Sequence, residues 1–419
     1  MNMPVTQVSP VVSESAWRSL DEVLSAGIRT AKPEDSIEGV VPVRVVEPAN
    51  TDEVARVMRW ATDNGVTVAP RGGGTKMSWG NRPAGADLVL STRKVSRVVE
   101  HAWEDMTVVV QAGCTVGELQ STLAQHGQRL ALDVLWPEHA TIGGVIATND
   151  SGALRLRYGG LRDLIIGATI VLSDGTVAKS GGKVVKNVAG YDMQKLMTGA
   201  LGTLGVVTEA IFRLHPLGQE TRTLTFHTPD LTSATDLLLR LLDSTLVPTG
   251  IQVRTDASGA CELDMRFEGI HEGVEAQIVK LSTMTDIPHI DADAQVWSAR
   301  ENLWTGEPAV IVKISVLPSQ TTEACALLSV ACERWSAVAQ GVGLITARLE
   351  GSSLQQVTSV RKQVERLGGS LVVLECPTEW KGKFDVWGSA GDALPLMVRV
   401  KQQLDPAGTL NRGRFVGGI

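Results

Sequence analysis

Three glycine-bearing segments hold the residues of this chain best suited to chemistry. They are Pro70-Arg71-Gly72-Gly73-Gly74-Thr75, Thr141-Ile142-Gly143-Gly144, and a run from Gly181-Gly182-Lys183 through Lys186-Asn187-Val188-Ala189-Gly190-Tyr191-Asp192 to Leu201-Gly202-Thr203-Leu204-Gly205. Successive backbone N–H groups in an open glycine turn converge into a concave nest for phosphate oxygens. A Thr before two glycines marks a helix start, where unpaired N–H groups favour an anion and the small residues let a ligand approach the backbone. Taken alone, a Gly-Gly-Gly run is more often a flexible turn. Three such clusters, each at an element end, favour a bound elongated cofactor over tight packing alone.

The elements that must position these segments follow from local pattern. Val43-Arg44-Val45-Val46 has the β-branched character of a buried strand. Asn50 with Glu53 forms a capping box for a helix that places Val54, Val57, Met58 and Ala61 on one face before Gly65 ends it. A second apolar strand, Val66 to Pro70, delivers the chain to the first glycine loop, so the two strands of this β-α-β unit are expected to be parallel. A doubly wound dinucleotide fold is disfavoured, because its glycine loop opens directly into a helix. Here Lys76 to Gly85 carries Gly80, Pro83 and Gly85 and leads to a strand at Leu88-Val89-Leu90-Ser91. Ile165 to Leu172 and Thr176-Val177-Ala178 flank Asp174-Gly175, a hairpin signal. Further on, Leu224-Thr225-Phe226 and Ile311 to Val316 read as strands. Leu231 to Leu242 reads as a helix with Leu237, Leu238, Leu241 and Leu242 on its buried side, and Ala324 to Val338 as another helix.

Composition bounds the function. At 419 residues and 43% hydrophobic content, the chain is long enough for two or three domains with buried cores. A net charge of −7 without a dense Lys/Arg run argues against a nucleic-acid partner, whereas a small anion needs only a local positive pocket. The first seventeen residues hold no Lys or Arg and no long apolar run, unlike a secretory leader, and no window reaches the roughly 18 apolar residues of a membrane span. A cytoplasmic location is expected, with placement at the inner membrane only through partner subunits. Cys114, Cys261, Cys325, Cys332 and Cys376 are scattered and read as reduced, mostly buried thiols, not as cluster ligands. No two of the seven histidines stand three or four residues apart, so no metal site is expected.

From about residue 40 to 217, these segments in this order resemble the PCMH-type FAD-binding domain of vanillyl-alcohol-oxidase-type flavoproteins. The resemblance implies an α+β fold in which two subdomains clasp an extended FAD. It implies that Pro70, Arg71, Gly72, Gly73, Gly74 and Thr75 hold the pyrophosphate. Pro137, Thr141, Ile142, Gly143, Gly144, Thr148, Asn149 and Gly152 would line the ribityl and isoalloxazine portion, and Val207 the adenine side. Some relatives attach flavin through a histidine in the glycine loop; with Thr75 and Lys76 after Gly74, non-covalent FAD is implied here.

The tail Asp385-Val386-Trp387-Gly388 to Leu404-Asp405-Pro406-Ala407-Gly408-Thr409-Leu410-Asn411-Arg412-Gly413-Arg414-Phe415, with Lys186 to Asp192, resembles the smaller FAD-binding subunit of glycolate oxidase. Arg412 stands where Pro is commoner in that family. The resemblance divides the chain into an N-terminal extension (1–39), the FAD-binding domain (40–217), an α+β cap (218–384) and a C-terminal segment (385–419) that returns to the FAD-binding domain, bringing Asn411 and Arg414 near the cofactor. The implied chemistry is oxidation of a 2-hydroxy acid such as glycolate or D-lactate by hydride transfer to flavin, with electrons passed to an iron–sulfur partner and a larger FAD subunit as a further partner. Arg155, Arg157, Lys183 and Lys186 lie in segments suited to attracting the acid, against a plainer role in surface salt bridges. His139 and Tyr191 are candidates for proton handling, against loop packing for the first and a buried, hydrogen-bonded phenol for the second, which the residues favour. Of the tryptophans in the second half, Trp297, Trp304, Trp335, Trp380 and Trp387, most are expected in the core, with one or two facing flavin or a partner. The histidine-rich cap segment of the larger relatives has no counterpart between residues 220 and 380. Two alternatives therefore stand beside the complex subunit: a stand-alone FAD dehydrogenase of another hydroxylated substrate, and a non-catalytic assembly subunit with structural FAD.

Overall fold

Each of the three large sheets of this chain buries one face under the apolar sides of helices. The computed structural model describes residues 12–24, 26–183 and 190–419. Strands β1 (Ile28–Thr30), β2 (Arg44–Val46), β3 (Val68–Arg71) and β4 (Leu88–Ser91) form a sheet of order β1-β2-β4-β3. The helix Thr51–Asp63 covers it, burying Val54, Val57, Met58 and Ala61 against Val46, Val68, Leu88 and Leu90. Asn50 Oδ1 accepts from Glu53 N at 2.9 Å, while the Glu53 carboxylate takes the N–H of Ala49, one residue before the expected arm of the box. Strands β2 and β3 each run parallel to β4, which lies between them, so their shared direction is held through an intervening strand.

A five-stranded antiparallel sheet follows. It uses β5 (Val98–Ala102) and β6 (Thr107–Gln111), then, after the short β7 (Gln128–Arg129), β8 (Ile165–Val171), β9 (Val177–Gly181) and β10 (Val206–Arg213), in the order β5-β6-β10-β8-β9. The hairpin at Asp174-Gly175 joins β8 to β9. Helices Val116–Ala124 and Ile142–Thr148 close this core around Leu119, Leu123, Ile146, Ile170 and Phe212. β7 pairs separately with β11 (His215–Pro216).

The rest is an eight-stranded, wholly antiparallel sheet, called the cap below. Its strands are β12 (Glu220–His227), β13 (Gly250–Asp256), β14 (Cys261–Gly269), β15 (His289–Asp291), β16 (Val310–Ser315), β17 (Arg334–Gln340), β18 (Leu344–Glu350) and β19 (Ser370–Glu375), ordered β15-β12-β14-β13-β17-β18-β16-β19. Side chains alternate across a strand. Ile251, Val253, Val312, Ile314, Ala337, Ala339, Ile345 and Ala347 therefore pack under the helices of the outer face, and Gln252, Arg254, Lys313, Ser315, Gln340 and Thr346 point the other way.

Two expectations need correction. Leu242 is 37% exposed, because the helix Leu231–Leu242 turns Leu237, Leu238 and Leu241 to the core and leaves Leu242 at the edge of that face. The helix expected over Ala324 to Val338 stops at Ala331, after Thr321–Ala326 and Leu328–Ala331, and residues 334–340 are β17, paired on both sides. Neighbouring strands override the helix-compatible composition there.

Candidate functional site

Two contiguous hollows of about 520 and 490 Å³ share Pro70, Gly72, Gly144, Ala147, Leu201 and Asn411 in their walls and form one elongated cleft. Its floor is made where the first glycine loop presses on the segment before the helix Ile142–Thr148. A Cβ on Gly72 would meet Thr141 Oγ1 at 2.0 Å, and one on Gly73 would meet the carbonyl oxygen of His139 at 1.8 Å. Among the described residues, the N–H groups of Gly72, Gly73, Gly74 and Thr75 donate to no protein acceptor, so four consecutive donors are left for a ligand. Thr141 caps the helix, its Oγ1 accepting from Gly144 N at 3.4 Å.

The C-terminal segment completes the cleft. Val68 N donates to Thr409 O at 2.7 Å and Asn411 N to Val68 O at 2.9 Å, extending the first sheet beyond β3. Lys401 locks that arrangement from below with bonds to Asp405 Oδ2 (2.5 Å), Thr203 O (2.7 Å) and Leu410 O (2.9 Å). Asn411 Nδ2 donates to Leu201 O at 2.6 Å, while its buried Oδ1 has no protein partner. Arg414, 2% exposed, donates to Met77 O at 2.7 Å and also to Trp79 O; its Nε is left unpaired, and burial pulls its pKa down to about 10. A buried polar atom without a partner is costly, so these orphans fit a ligand seated in the cleft. Arg71 faces the cleft but is tied to buried Asp35 at 2.9 Å.

Of the residues singled out from sequence, Pro70, Arg71, Gly72, Gly73, Gly74, Thr75, Thr141, Gly143, Gly144, Thr148, Val207, Asn411 and Arg414 converge on the cleft. Four do not line it. Ile142 points into the core of the five-stranded sheet, as the first inward residue of its helix. Pro137 and Gly152 line a separate hollow of about 610 Å³. Asn149, the left-handed cap of that helix, turns towards the cap sheet. Among the proton-handling candidates, Tyr191 is 88% exposed and not a buried phenol, because only its backbone oxygen is engaged, by Ser180. His139 and Arg157 are exposed, Lys183 pairs with Glu100, and Lys186 lies outside the described residues.

A larger cavity, about 880 Å³, opens between the cap sheet and the flavin-side segments, bounded by Trp79, Asp150, Arg155, Arg300, Trp304 and Lys313 among others. Lys76 joins it to the cleft. That side chain lines the cleft, and its Nζ lies 3.3 Å from Asp150 Oδ2, 3.2 Å from Leu135 O and over the rings of Trp79 and Trp136. Arg300 reaches Asp150 Oδ1 at 2.8 Å from the other side. Asp150 is thus shared by two cations, whereas Arg155 has only a 3.4 Å contact with Ser151 Oγ and Lys313 has no hydrogen-bond partner among the described residues. The indole N–H groups of buried Trp79 and of Trp304 are also unpaired. Surplus positive charge suits this cavity to an anion. Burial lowers the pKa of Lys313 and of Lys76, with Asp150 opposing both shifts.

Lys76, Asp150, Arg300 and Lys313 were not singled out from sequence. One signal was present: in Val310-Ile311-Val312-Lys313-Ile314-Ser315, polar residues two apart interrupt an otherwise buried strand. At the outer edge of the cap, Glu220, His271 and Glu275 bring ligand-type atoms within 4.8 Å of one another, but His271 pairs with Glu220 and Glu275 with Arg222.

Residues 42–181 match the family model described as FAD binding domain, so this stretch is an FAD binding domain. Glycolate oxidase subunit GlcD of Bacillus subtilis is 33% identical over 212 residues, 51% of this chain and 45% of that protein. D-lactate dehydrogenase of Archaeoglobus fulgidus is 32% identical over 252 residues, 55% of each. The chain thus spans about half the length of these relatives. The structure of p-cresol methylhydroxylase with substrate bound superposes with a TM-score of 0.76 over 96% of this chain and 97% of that one at 14% identity, which shows a common fold.

Proposed function

We propose that this chain, built on an FAD binding domain, is an FAD-dependent oxidoreductase that converts a 2-hydroxy acid to the 2-oxo acid and passes the electrons to an iron–sulfur partner within a complex. The observation that carries the reading is the junction at Lys76, where a cleft with four free N–H donors meets a cavity with surplus positive charge. The relatives named glycolate oxidase subunit and D-lactate dehydrogenase support the substrate class. The word subunit in the first of them supports a complex.

In this reading Gly72, Gly73, Gly74 and Thr75 bind the pyrophosphate through their N–H groups. Thr141, Gly143, Gly144 and Thr148 keep the backbone close to the ring system, Val207 faces the adenine side, and Asn411 Oδ1 and Arg414 Nε gain partners. Bound FAD supplies the hydride acceptor, and oxidation removes the hydrogen at C2 of the acid as hydride and the hydroxyl hydrogen as a proton. Lys313, Arg155 and Arg300 hold the carboxylate, and Trp79 and Trp304 wall the same space. Asp150 opposes the loss of charge that burial imposes on Lys76 at the cleft-side wall.

The test is an anaerobic visible spectrum of the purified chain with D-lactate and with glycolate. Bleaching of the bound flavin is the expected result. Flavin that stays oxidised with every 2-hydroxy acid tried would overturn the reading in favour of a structural cofactor.

A further inference from the structure

In the wall that the cap sheet gives the 880 Å³ cavity, Lys313, Ser315, Gln340, Thr346 and Ser370 stand among Leu344, Val372 and Leu374. Register across the strands sets it out in two rows. Ser315 stands opposite Ser370 on one side and Leu344 on the other, and Leu344 opposite Gln340. Lys313 stands opposite Val372 and Thr346. Adjacent residues in a row lie about 5 Å apart, and the rows about 7 Å apart along the strands. The hydroxyls of Ser315, Thr346 and Ser370 make no hydrogen bond to protein among the described residues, and Gln340, 4% exposed, has an unpaired Oε1 while its Nε2 donates to Ser151 O at 3.2 Å. Thr346 is 5% exposed, so its hydroxyl sits in a buried wall, with Ser370 at the rim.

With open solvent left out the cavity is about 290 Å³, at the lower edge of the ~300–1,000 Å³ of small-molecule pockets and still more than a two- or three-carbon acid needs. An alkyl tail laid on this wall would strip water from the Ser315 and Thr346 hydroxyls and return nothing to them. A chain bearing hydroxyls would satisfy both donors and acceptors. We propose that the cavity selects a 2-hydroxy acid whose carbon chain carries further hydroxyl groups, a sugar acid, with its carboxylate at Lys313 and its hydroxyls along Thr346 and Ser315. This rests on the reading of the site as a 2-hydroxy-acid oxidoreductase.

The experiment compares anaerobic flavin reduction in the FAD-loaded chain by D-gluconate, by (R)-2-hydroxyhexanoate of equal length and C2 configuration, and by D-lactate. The expected result is an efficiency for D-gluconate about 10,000-fold above that for hydroxyhexanoate, the scale at which a hydroxyl-binding site rejects an analogue lacking the hydroxyl. Thr346→Val and Ser315→Ala should each narrow the gap. Equal or better use of hydroxyhexanoate, with flavin reduction intact, overturns this inference and leaves the oxidoreductase standing. If none of the three acids reduces the flavin, the oxidoreductase reading fails. Titration of tryptophan emission with D-gluconate then decides the inference: saturable quenching that weakens in Thr346→Val supports the hydroxylated ligand, and no quenching overturns it.

Discussion

Arg300 Nη1 lies 2.8 Å from Asp150 Oδ1, and this ion pair, almost wholly buried on the Asp150 side, fastens the cap to the segment that follows the helix Ile142–Thr148. The same guanidinium donates to Ser151 O at 2.7 Å. Burial alone would push Asp150 up, yet Arg300 and Lys76 hold it below the ordinary carboxylate range. Arg300→Leu removes one of two countercharges from a buried carboxylate. It should cost about 3 kcal/mol of stability, the scale for breaking a buried pair from one side, read from the urea midpoint of the holoprotein. Arg300→Lys should recover part of that loss.

Gly73→Ala addresses the cleft directly. The added methyl would fall 1.8 Å from the carbonyl oxygen of His139, backbone against backbone, so the loop must move and carry its free N–H groups with it. Flavin retained through purification should fall at least about tenfold. Gly182→Ala, where a Cβ meets nothing within 4 Å, should retain it.

These two pairs of residues mark how far sequence reading reaches. The glycine loop, the Thr141 cap and the Asp174-Gly175 hairpin depend on neighbours within a few residues, and local chemistry reveals them. That Gly73 abuts His139, or that Arg300 meets Asp150, depends on how two glycine-rich segments and the distant short helix Ala299–Asn302 are juxtaposed, which no periodicity encodes. β17 escaped for a related reason. Its Trp-Ser-Ala-Val-Ala run is compatible with helix or strand, and pairing with β13 and β18 decides it. The cap cavity needed the register of the central strands before Lys313, Thr346 and Ser315 could be seen as one wall.

Lys313 gives the site a pH dependence. Burial lowers its pKa, Asp150 opposes the shift, and Arg300 and Arg155 add to it; Lys76, also lowered, bears on the same carboxylate. A lowered lysine is protonated below its folded pKa and neutral above it, so its hold on a carboxylate is present at low pH and is lost as pH rises through that value. KM for the acid should therefore rise on the alkaline side while Arg155 and Arg300 remain charged. In Lys313→Met the KM should already be raised at neutral pH and that alkaline rise should be gone.

The thiols provide a check on the fold itself. Cys114, Cys261, Cys325 and Cys332 are buried and unpaired, and Cys376 is half-buried. Burial pushes Cys114 and Cys376 up to about 11 and Cys325 up to about 12. A thiol reagent at pH 8 should label the native protein slowly and all five cysteines after denaturation. Rapid labelling of Cys325 in the native state would contradict the cap packing.

The most direct test of the account is the flavin content of the purified chain, read from its visible absorbance before and after acid denaturation. The account predicts one FAD per chain, released intact into the supernatant because no covalent bond holds it, and at least about tenfold less in Gly73→Ala. A colourless chain that takes up no FAD on incubation, or a flavin that stays with the precipitated protein, would contradict it.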